Sequence, residues 1–422
     1  MLTALRSRDF RLLWLGQSVS VIGDALVIVA IGLYVTRTTG SAADVSFVLA
    51  AYATPLVVFL LVGGVVADRL PRQLVIITSS LVRAVLHGTL AVLIATGTVR
   101  IWHMILIGVL YGSAEAFFRP AYTALVPQTV ASDDDIQGAQ ALGGVSNELA
   151  NLASPALATA LVLGVGGAWA FGLDAATFVV AAALVSQVHA RERGGVRPDR
   201  ESFGAELRLG WHAVRERPWV LWTIVCVSVA LLTALAPFFV LGAAISRDVY
   251  GTEAVYGLAT TAFGVGTVTG ALIGSRWHPR FPMRVMVSAS ILWPASVGLY
   301  AAGPARPVLY PVMAVAGVGI GVGSVLWETA LAQRIPAHLL SRVSAWDWMG
   351  SLALLPLGYV LSGWLGQVVG DARLLQLGGV IGTVALVAAL LPRSTRELRR
   401  LDGSVSSGET AVAALAADAN RP

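Results

Sequence analysis

A small set of ionisable side chains stands inside long runs of apolar residues: Asp24, Arg83, His87, Glu115, Arg119, Glu148, Asp174, Glu328 and Asp347. If such runs cross a bilayer, each charge costs about 2.5–3.5 kcal/mol at a helix centre, so each needs a partner, water or a task. The chemistry within reach is exchange. A carboxyl in apolar surroundings favours its neutral form, and a nearby cation or an open path to water reverses that preference. Asp24 lies nearest the middle of its run, with Gln17 on the same helical face, and Glu115 follows it as a candidate proton carrier or cation-binding group. Tyr111, Glu115 and Arg119 are spaced by four and form one stripe; the last two read equally well as a structural ion pair. Arg83 and His87 share a face, and His87 reads as structural. An alternative for Asp24 is a fixed pair with Arg83. Asp347 falls early in its run, where an acid suits a helix N-terminus. Glu328 is close enough to a run's end for water to reach it. Glu148, between Asn147 and Asn151, is open between cavity and subunit packing, and Asp174, near the end of its run, is open as well.

Elements that hold these residues follow from composition. The chain is 56% hydrophobic and 13% charged, with a mean hydropathy of +0.75, against roughly 25% charge in soluble domains. This is the composition of an integral membrane protein, whose spans must be helices because lipid cannot satisfy backbone groups. Twelve apolar stretches are long enough: Leu12 to Val35, Asp44 to Val66, Leu74 to Thr96, Ile101 to Tyr122, Ala141 to Leu163, Ala168 to Val188, then about 220–244, 254–275, 284–303, 307–330, 343–366 and 373–392. A loop is expected at Val126-Pro127 and the acidic Asp133-Asp134-Asp135. The first run is too long for a cleaved signal and reads as an uncleaved span. The pI near 9.7 does not indicate nucleic acid here. The sequence contains no lysine, which excludes a phosphate-binding P-loop. The single cysteine, Cys226, excludes an internal disulfide. No metal-ligand cluster and no cofactor motif is visible, and nothing marks the chain as an enzyme.

Arginine placement orients the spans. With the N-terminus inside, only Arg37, Arg100, Arg247, Arg306 and Arg373 fall on outer loops, and nearly all the rest lie on the inner side. This bias predicts an even number of spans in the plasma (inner) membrane with both termini cytoplasmic. A polar connector divides the chain into an N-terminal six-helix half (1–189), a cytoplasmic connector (190–219), a C-terminal six-helix half (220–392) and a disordered cytoplasmic tail (393–422). The interval from Gly64 to Gly270 equals that from Thr123-Ala124-Leu125 to Thr329-Ala330-Leu331, a faint internal repeat. In the connector, Ser202 to Arg217 predicts an interfacial helix with Phe203, Leu207, Gly210, Trp211 and Val214 on one face and Arg208, Arg215 and Glu216 on the other. It reads as a tether between the halves, with lipid sensing as the alternative. Glycines 317, 319, 321 and 323 suggest a dinucleotide loop at first sight. They lie inside an apolar span with no preceding strand, so they read as small-xxx-small packing pairs, as do Gly266, Gly270 and Gly274.

The stretch Gly63-Gly64-Val65-Val66-Ala67-Asp68-Arg69-Leu70-Pro71-Arg72 joins the second and third spans. It reads as a charged loop anchoring a helical hairpin. Its spacing Gly64-x-x-x-Asp68-Arg69-x-x-Arg72 also resembles the cytoplasmic signature between helices 2 and 3 of the major facilitator superfamily. Phe10-Arg11-Leu12-Leu13-Trp14-Leu15-Gly16-Gln17 with Gly23-Asp24, Arg119-Pro120-Ala121, Glu206-Leu207 with Gly210, and Trp327, Thr329, Pro336, Arg342-Val343 and Pro356-Leu357-Gly358 resemble its macrolide and enterobactin exporter branch. Two departures are visible. Gly274 stands where Asp68 would repeat, and Ser154-Pro155-Ala156 replaces the Gly-Pro pair common in antiporters of the superfamily.

The resemblance implies an all-α major facilitator fold with two pseudo-symmetric halves, a cavity lined by the first and fourth spans of each half, and a substrate site between them. It implies a monomeric permease that exports small organic compounds, coupled to protons by antiport, with the lipid bilayer, a small-molecule substrate and protons as partners. Gly64, Asp68, Arg69 and Arg72 would form the conformational motif, with Asp68 facing Arg69, Arg72 or the N-terminus of span 11 near Arg342-Val343 and holding the halves together on the inner side. Pro237, Phe238, Phe239, Trp293 and Trp327 are candidates for apolar cargo contacts, with ordinary packing as the alternative. Two rival functions stay open: a flippase-like transporter of lipid or lysophospholipid, and a non-transporting receptor on the same fold.

Overall fold

A computed structural model describes residues 3–132, 134–189 and 203–400, apart from the side chains of 60–69, 134, 137, 141, 203–207, 337, 338, 341, 351 and 352. Among the described residues the chain is all-helical, with 12 helices or helix pairs long and apolar enough to cross a membrane. The first six spans are α1 (Arg8–Thr39), α2 (Ala42–Arg69), α3 (Arg72–Ala95), α4 (Ile101–Thr129), α5 (Asp134–Ala160) and α6 (Gly167–Val185). The connector helix is α7 (Phe203–Arg215). Beyond it come α8 (Pro218–Ala230) and α9 (Ala236–Tyr250), which together make one span, α10 (Ala254–Arg276), α11 (Pro282–Ser290) with α12 (Leu292–Ala302), α13 (Arg306–Arg334), α14 (Ala337–Ala353) with α15 (Leu355–Val369), and α16 (Asp371–Ala388). A short α17 (Arg393–Arg396) follows.

Several breaks have local causes. Gly40 and Gly251 end α1 and α9 at φ 68 and 76, the left-handed cap that lets a chain reverse between antiparallel helices. A π-helical turn at Leu231–Leu235 precedes Pro237, whose missing N–H would leave a carbonyl of a regular helix without its donor. A second π turn, Leu161–Val165, closes α5.

Close helix pairs are built on glycine. A Cβ on Gly112 of α4 would overlap the Tyr52 carbonyl of α2. Across the α10–α13 seam, Gly266 and Gly270 lie against the backbone of Ala314 and Val318, and Gly317 and Gly321 against that of Phe263 and Thr267. Gly319 and Gly323 face the other way, onto Ala289 and Ser290 of α11. The glycine pairs thus serve two different neighbours of one helix.

Apolar packing divides unequally along the membrane normal. On the side away from the termini one continuous core joins both halves, including Leu26 to Val35 of α1, Val45 to Ala50 of α2, Val240 and Leu241 of α9 and Tyr256 of α10. On the side of the termini the core is split, one part around Phe10, Leu13, Ile76 and Leu125, the other around Val214, Val220, Met283 and Leu331. Contacts between the halves follow the same division. Gly363 of α15 meets Ser46 and Ala43 of α2, Gly257 of α10 meets Thr159 of α5, and Arg247 Nη1 donates to the Thr36 carbonyl at 3.3 Å.

Three expectations need correcting. The loop expected at Val126-Pro127 is helical, since α4 runs to Thr129 with Pro120 and Pro127 inside it. The tail expected to be disordered from Arg393 is docked as far as Arg400, with Thr395 and Leu398 buried and carbonyls of Arg396 and Arg399 taken by Arg284 and Arg334. The residues beyond it lie outside the description. Asp347 is not in a first helical turn, because α14 begins at Ala337; its carboxylate instead accepts from Trp327 Nε1 at 2.8 Å.

Candidate functional site

Packing of α1 on α6, α3 on α4 and α6, and α2 on α4 carries Asp24, Arg83, His87 and Asp174 into one buried cluster. Arg83 is its centre. The side chain is wholly enclosed, with Nη1 3.5 Å from Asp24 Oδ1 and no hydrogen-bond acceptor for any guanidinium nitrogen among the described residues. Its Cζ lies 4.2 Å from the Phe178 ring centroid and 4.4 Å from that of Phe118. Two aromatic faces therefore replace part of the lost hydration of the cation. The Tyr111 hydroxyl donates to the Asp24 carboxylate.

Next to this pair stands a second one. His87 Nδ1 donates to Asp174 Oδ2, and both side chains are fully enclosed. His87 Nε2 lies 3.0 Å from the Tyr52 hydroxyl, and the imidazole stacks on the Tyr111 ring at 4.3 Å and 11°. Asp174 Oδ1 has no partner among the described residues. It sits over Gly23 of α1, where any side chain would collide with it. The Gly23-Asp24 pair thus places a small residue under one acid and supplies the other.

Toward the termini the ladder continues with Glu115, whose Oε1 accepts from Arg119 Nε at 2.9 Å and Nη2 at 2.5 Å. Side-chain exposure is zero at His87 and Asp174 and 1% at Arg83, against 26% at Asp24, 17% at Glu115 and 49% at Arg119. The ladder is closed where the shared core lies and open where the core is split.

Other candidates are dispersed. Gln17 is half-buried on α1. Asn147, Glu148 and Asn151 are exposed on α5, and Glu328 is exposed on α13. Phe238 packs inside the second half against Tyr256 and Tyr300, with centroids 5.4 and 5.3 Å away, and Phe239 is half-buried beside it. Trp293 is buried in α12, and Trp327 meets Trp219 edge-on at 5.7 Å. The side chains of Gly64, Asp68 and Arg69 lie outside the described residues. Arg72 of the same motif donates to the Ala124 carbonyl of α4 at 2.9 Å.

Sequence reasoning paired Arg83 with His87 on one face and weighed Arg83 as a partner for Asp24. It missed the Asp174–His87 contact and Tyr52. The signal for Tyr52 was a phenol hydroxyl midway along an apolar span; the α3–α6 contact leaves no periodic trace in either segment.

The chain resembles known transporters along nearly its whole length. Macrolide efflux protein A of Streptococcus pyogenes is 26% identical over 407 residues, covering 93% of this chain and 97% of the relative. The multidrug efflux pump Tap of Mycobacterium tuberculosis is 27% identical over 393 residues, covering 90% and 91%. The enterobactin exporter EntS of Salmonella choleraesuis is 25% identical over 394 residues, covering 93% of each. Among solved structures, the nucleoside transporter NupG superposes with a TM-score of 0.67 at 12% identity, covering 90% of this chain and 98% of its own. A bacterial homolog of the human lysosomal transporter Spinster, inward-facing and unoccupied, gives 0.66 at 14%, covering 93% and 98%. The solved structures share the fold of this chain, and the sequence pattern of one family runs through residues 13–351, across the buried cluster and into the second half. The chain is a multi-pass membrane transporter and belongs to the Major Facilitator Superfamily.

Proposed function

We propose that this transporter exports small organic compounds across the plasma membrane by alternating access, in exchange for protons, with Asp24 as the exchanging carboxyl. Asp24 carries the reading: it is an acid at the edge of the buried cluster, 26% exposed, between an enclosed cation and the open side of the ladder. Approach of a cationic cargo or of water favours its ionised form, and enclosure favours its neutral form. Cargo and proton then compete for one group, which is sufficient for antiport. Glu115 is already taken up by Arg119, so it stands second to Asp24. The efflux relatives, named for macrolides, multiple drugs and enterobactin, support export and small organic cargo. The arginine bias supports cytoplasmic termini, which makes the open side of the ladder the cytoplasmic one.

Proteoliposomes with an internal pH indicator, offered a macrolide carrying a basic amino sugar, test this reading. Cargo movement should be accompanied by proton movement in the opposite direction. In Asp24→Asn, pH-driven uphill transport should vanish while downhill exchange of the same compound persists. Full uphill transport by Asp24→Asn would remove Asp24 from the carrier role.

A further inference from the structure

The buried cluster has a charge balance that the exchange at Asp24 alone does not explain. Its fixed cation is Arg83. Its acids are Asp24 and Asp174, and His87 is neutral or cationic. Around these, α2 contributes the Tyr52 hydroxyl and α4 contributes Tyr111 and the Glu115–Arg119 pair, whose charges cancel. Of the remaining helices packed on α1, α5 presents the hydroxyls of Ser146 and Ser154 to it, and α9 packs on its far end in the shared apolar core. With both acids ionised and His87 neutral, the cluster carries one uncompensated negative charge; Asp24 reaches solvent at 26% exposure, but Asp174 is fully enclosed and shares the one fixed cation with it, which is unfavourable. One proton restores neutrality. That proton can sit on the Asp24 carboxyl or on the His87–Asp174 pair, where the imidazole holds it for as long as Asp174 accepts from Nδ1–H.

We propose that His87 and Asp174 form a second proton site, which holds the cluster's proton while Asp24 is ionised and without cargo, and gives it up when Asp24 is neutral or paired with a cationic cargo. The assignment rests on the reading of Asp24 as the exchanging carboxyl. The hydrogen bonds suit both states. When His87 is an imidazolium, Nδ1–H donates to Asp174 and Nε2–H donates to the Tyr52 oxygen. When it is neutral, Nδ1–H still donates to Asp174 and the Tyr52 hydroxyl donates to Nε2. No other group has to move, only the tyrosine hydrogen. The exchange conserves charge: Asp24 loses a proton and becomes anionic as His87 gains one and becomes cationic. Asp174, which never needs to protonate, is the anchor that keeps the imidazolium compensated. The first half thereby retains a proton in the sealed part of the ladder when Asp24 opens to water, and a cationic cargo pairing with Asp24 releases it.

Nitrogen-15 NMR of the full-length transporter in lipid nanodiscs tests this, with His87 left as the sole histidine by replacing the others with Gln. Near neutral pH, His87 should give an imidazolium spectrum in the chain that retains Asp24. Asp24→Asn makes the cluster neutral without the proton, so the imidazolium signal should be lost at the same pH. Combining Asp24→Asn with Arg83→Gln restores one uncompensated negative charge, at Asp174, and the imidazolium signal should return. A merely structural histidine would not follow this sequence. The same protonation state of His87 with and without Asp24 overturns the proposal. If Asp24→Asn does not yield folded protein, Arg83→Gln alone decides: it leaves two acids to compensate, so the imidazolium spectrum must be present at the same near-neutral pH, and its absence overturns the proposal. Neither spectrum depends on transport, so this proposal and the antiport reading fail in different experiments.

Discussion

Arg83 shows how a single charge can be kept inside an apolar fold without saturating its hydrogen bonds. Breaking a buried ion pair by removing one partner costs roughly 3–5 kcal/mol when nothing else compensates the remaining charge. Here Phe118 and Phe178 lie on the guanidinium at 4.4 and 4.2 Å, each such contact being worth up to about 2 kcal/mol when desolvated. Asp24→Asn should therefore cost less than a bare buried pair would, and the thermal midpoint of the purified variant should fall only modestly. Phe178→Leu removes one of the two faces. Added to Asp24→Asn it should lower the midpoint by more than the sum of the separate changes, because both act on the same cation. Additive midpoints would show that the rings do not carry the charge. At this scale the sequence was informative about residue type and spacing. It placed Asp24 in mid-span and put Arg83 and His87 on one face, since four-residue spacing is a local property. It left Asp174 open, because its partner comes from a helix distant in the chain.

Helices were legible where apolar length alone decides, and less so where packing does. All twelve spans were visible as runs, but the ends of α4 and α14 were not, because Pro127 and the residues before Arg342 read as loop when taken locally. The connector helix was legible from its two faces. In the structure Gly210 touches α14, where a Cβ would come within 2.9 Å of Trp346, and Val214 is buried while Arg208 is exposed. The role of individual glycines was harder to read, since a glycine in an apolar span looks the same whether it packs or not. Gly112 and Gly144 separate the cases. At Gly112 a Cβ would overlap the Tyr52 carbonyl, whereas at Gly144 it would meet nothing within 4 Å. Gly112→Val should force α2 from α4 and draw Tyr52 from His87, giving a sharp loss of folded, monodisperse protein. Gly144→Ala, which also has the better helix propensity, should leave the yield and thermal midpoint unchanged or slightly raised. Equal behaviour of the two variants would mean that the α2–α4 seam is not held by backbone contact at Gly112.

For the whole molecule, the shared core on one side and the divided core on the other define a closed face and an open one. We propose from the arginine bias that the open face is cytoplasmic, and this orientation and the closure can be tested together. With Cys226 replaced by Ser, single cysteines report on each side. Gln17→Cys lies on α1 toward the divided core. Phe239→Cys lies on α9, where the Phe239 carbonyl comes within 3.5 Å of the space above Gly32 in the shared core. A membrane-impermeant thiol reagent should label Gln17→Cys in inside-out vesicles and not from outside intact cells. Phe239→Cys should resist labelling from both sides. Gly257→Val provides a wedge at the closed face, since even its Cβ would come within 2.7 Å of the Thr159 Cβ on the opposing half. Two rigid halves joined at that face can relieve the overlap by opening it, so the balance of states should shift outward. Phe239→Cys should then become labelled from outside the cell while Gln17→Cys loses labelling in inside-out vesicles. The opposite changes at the two positions distinguish rocking of the halves from local loosening, which would raise labelling at Phe239→Cys alone. Labelling of Gln17→Cys from outside intact cells, with the wedge absent, would invert the assigned orientation and with it the direction of transport.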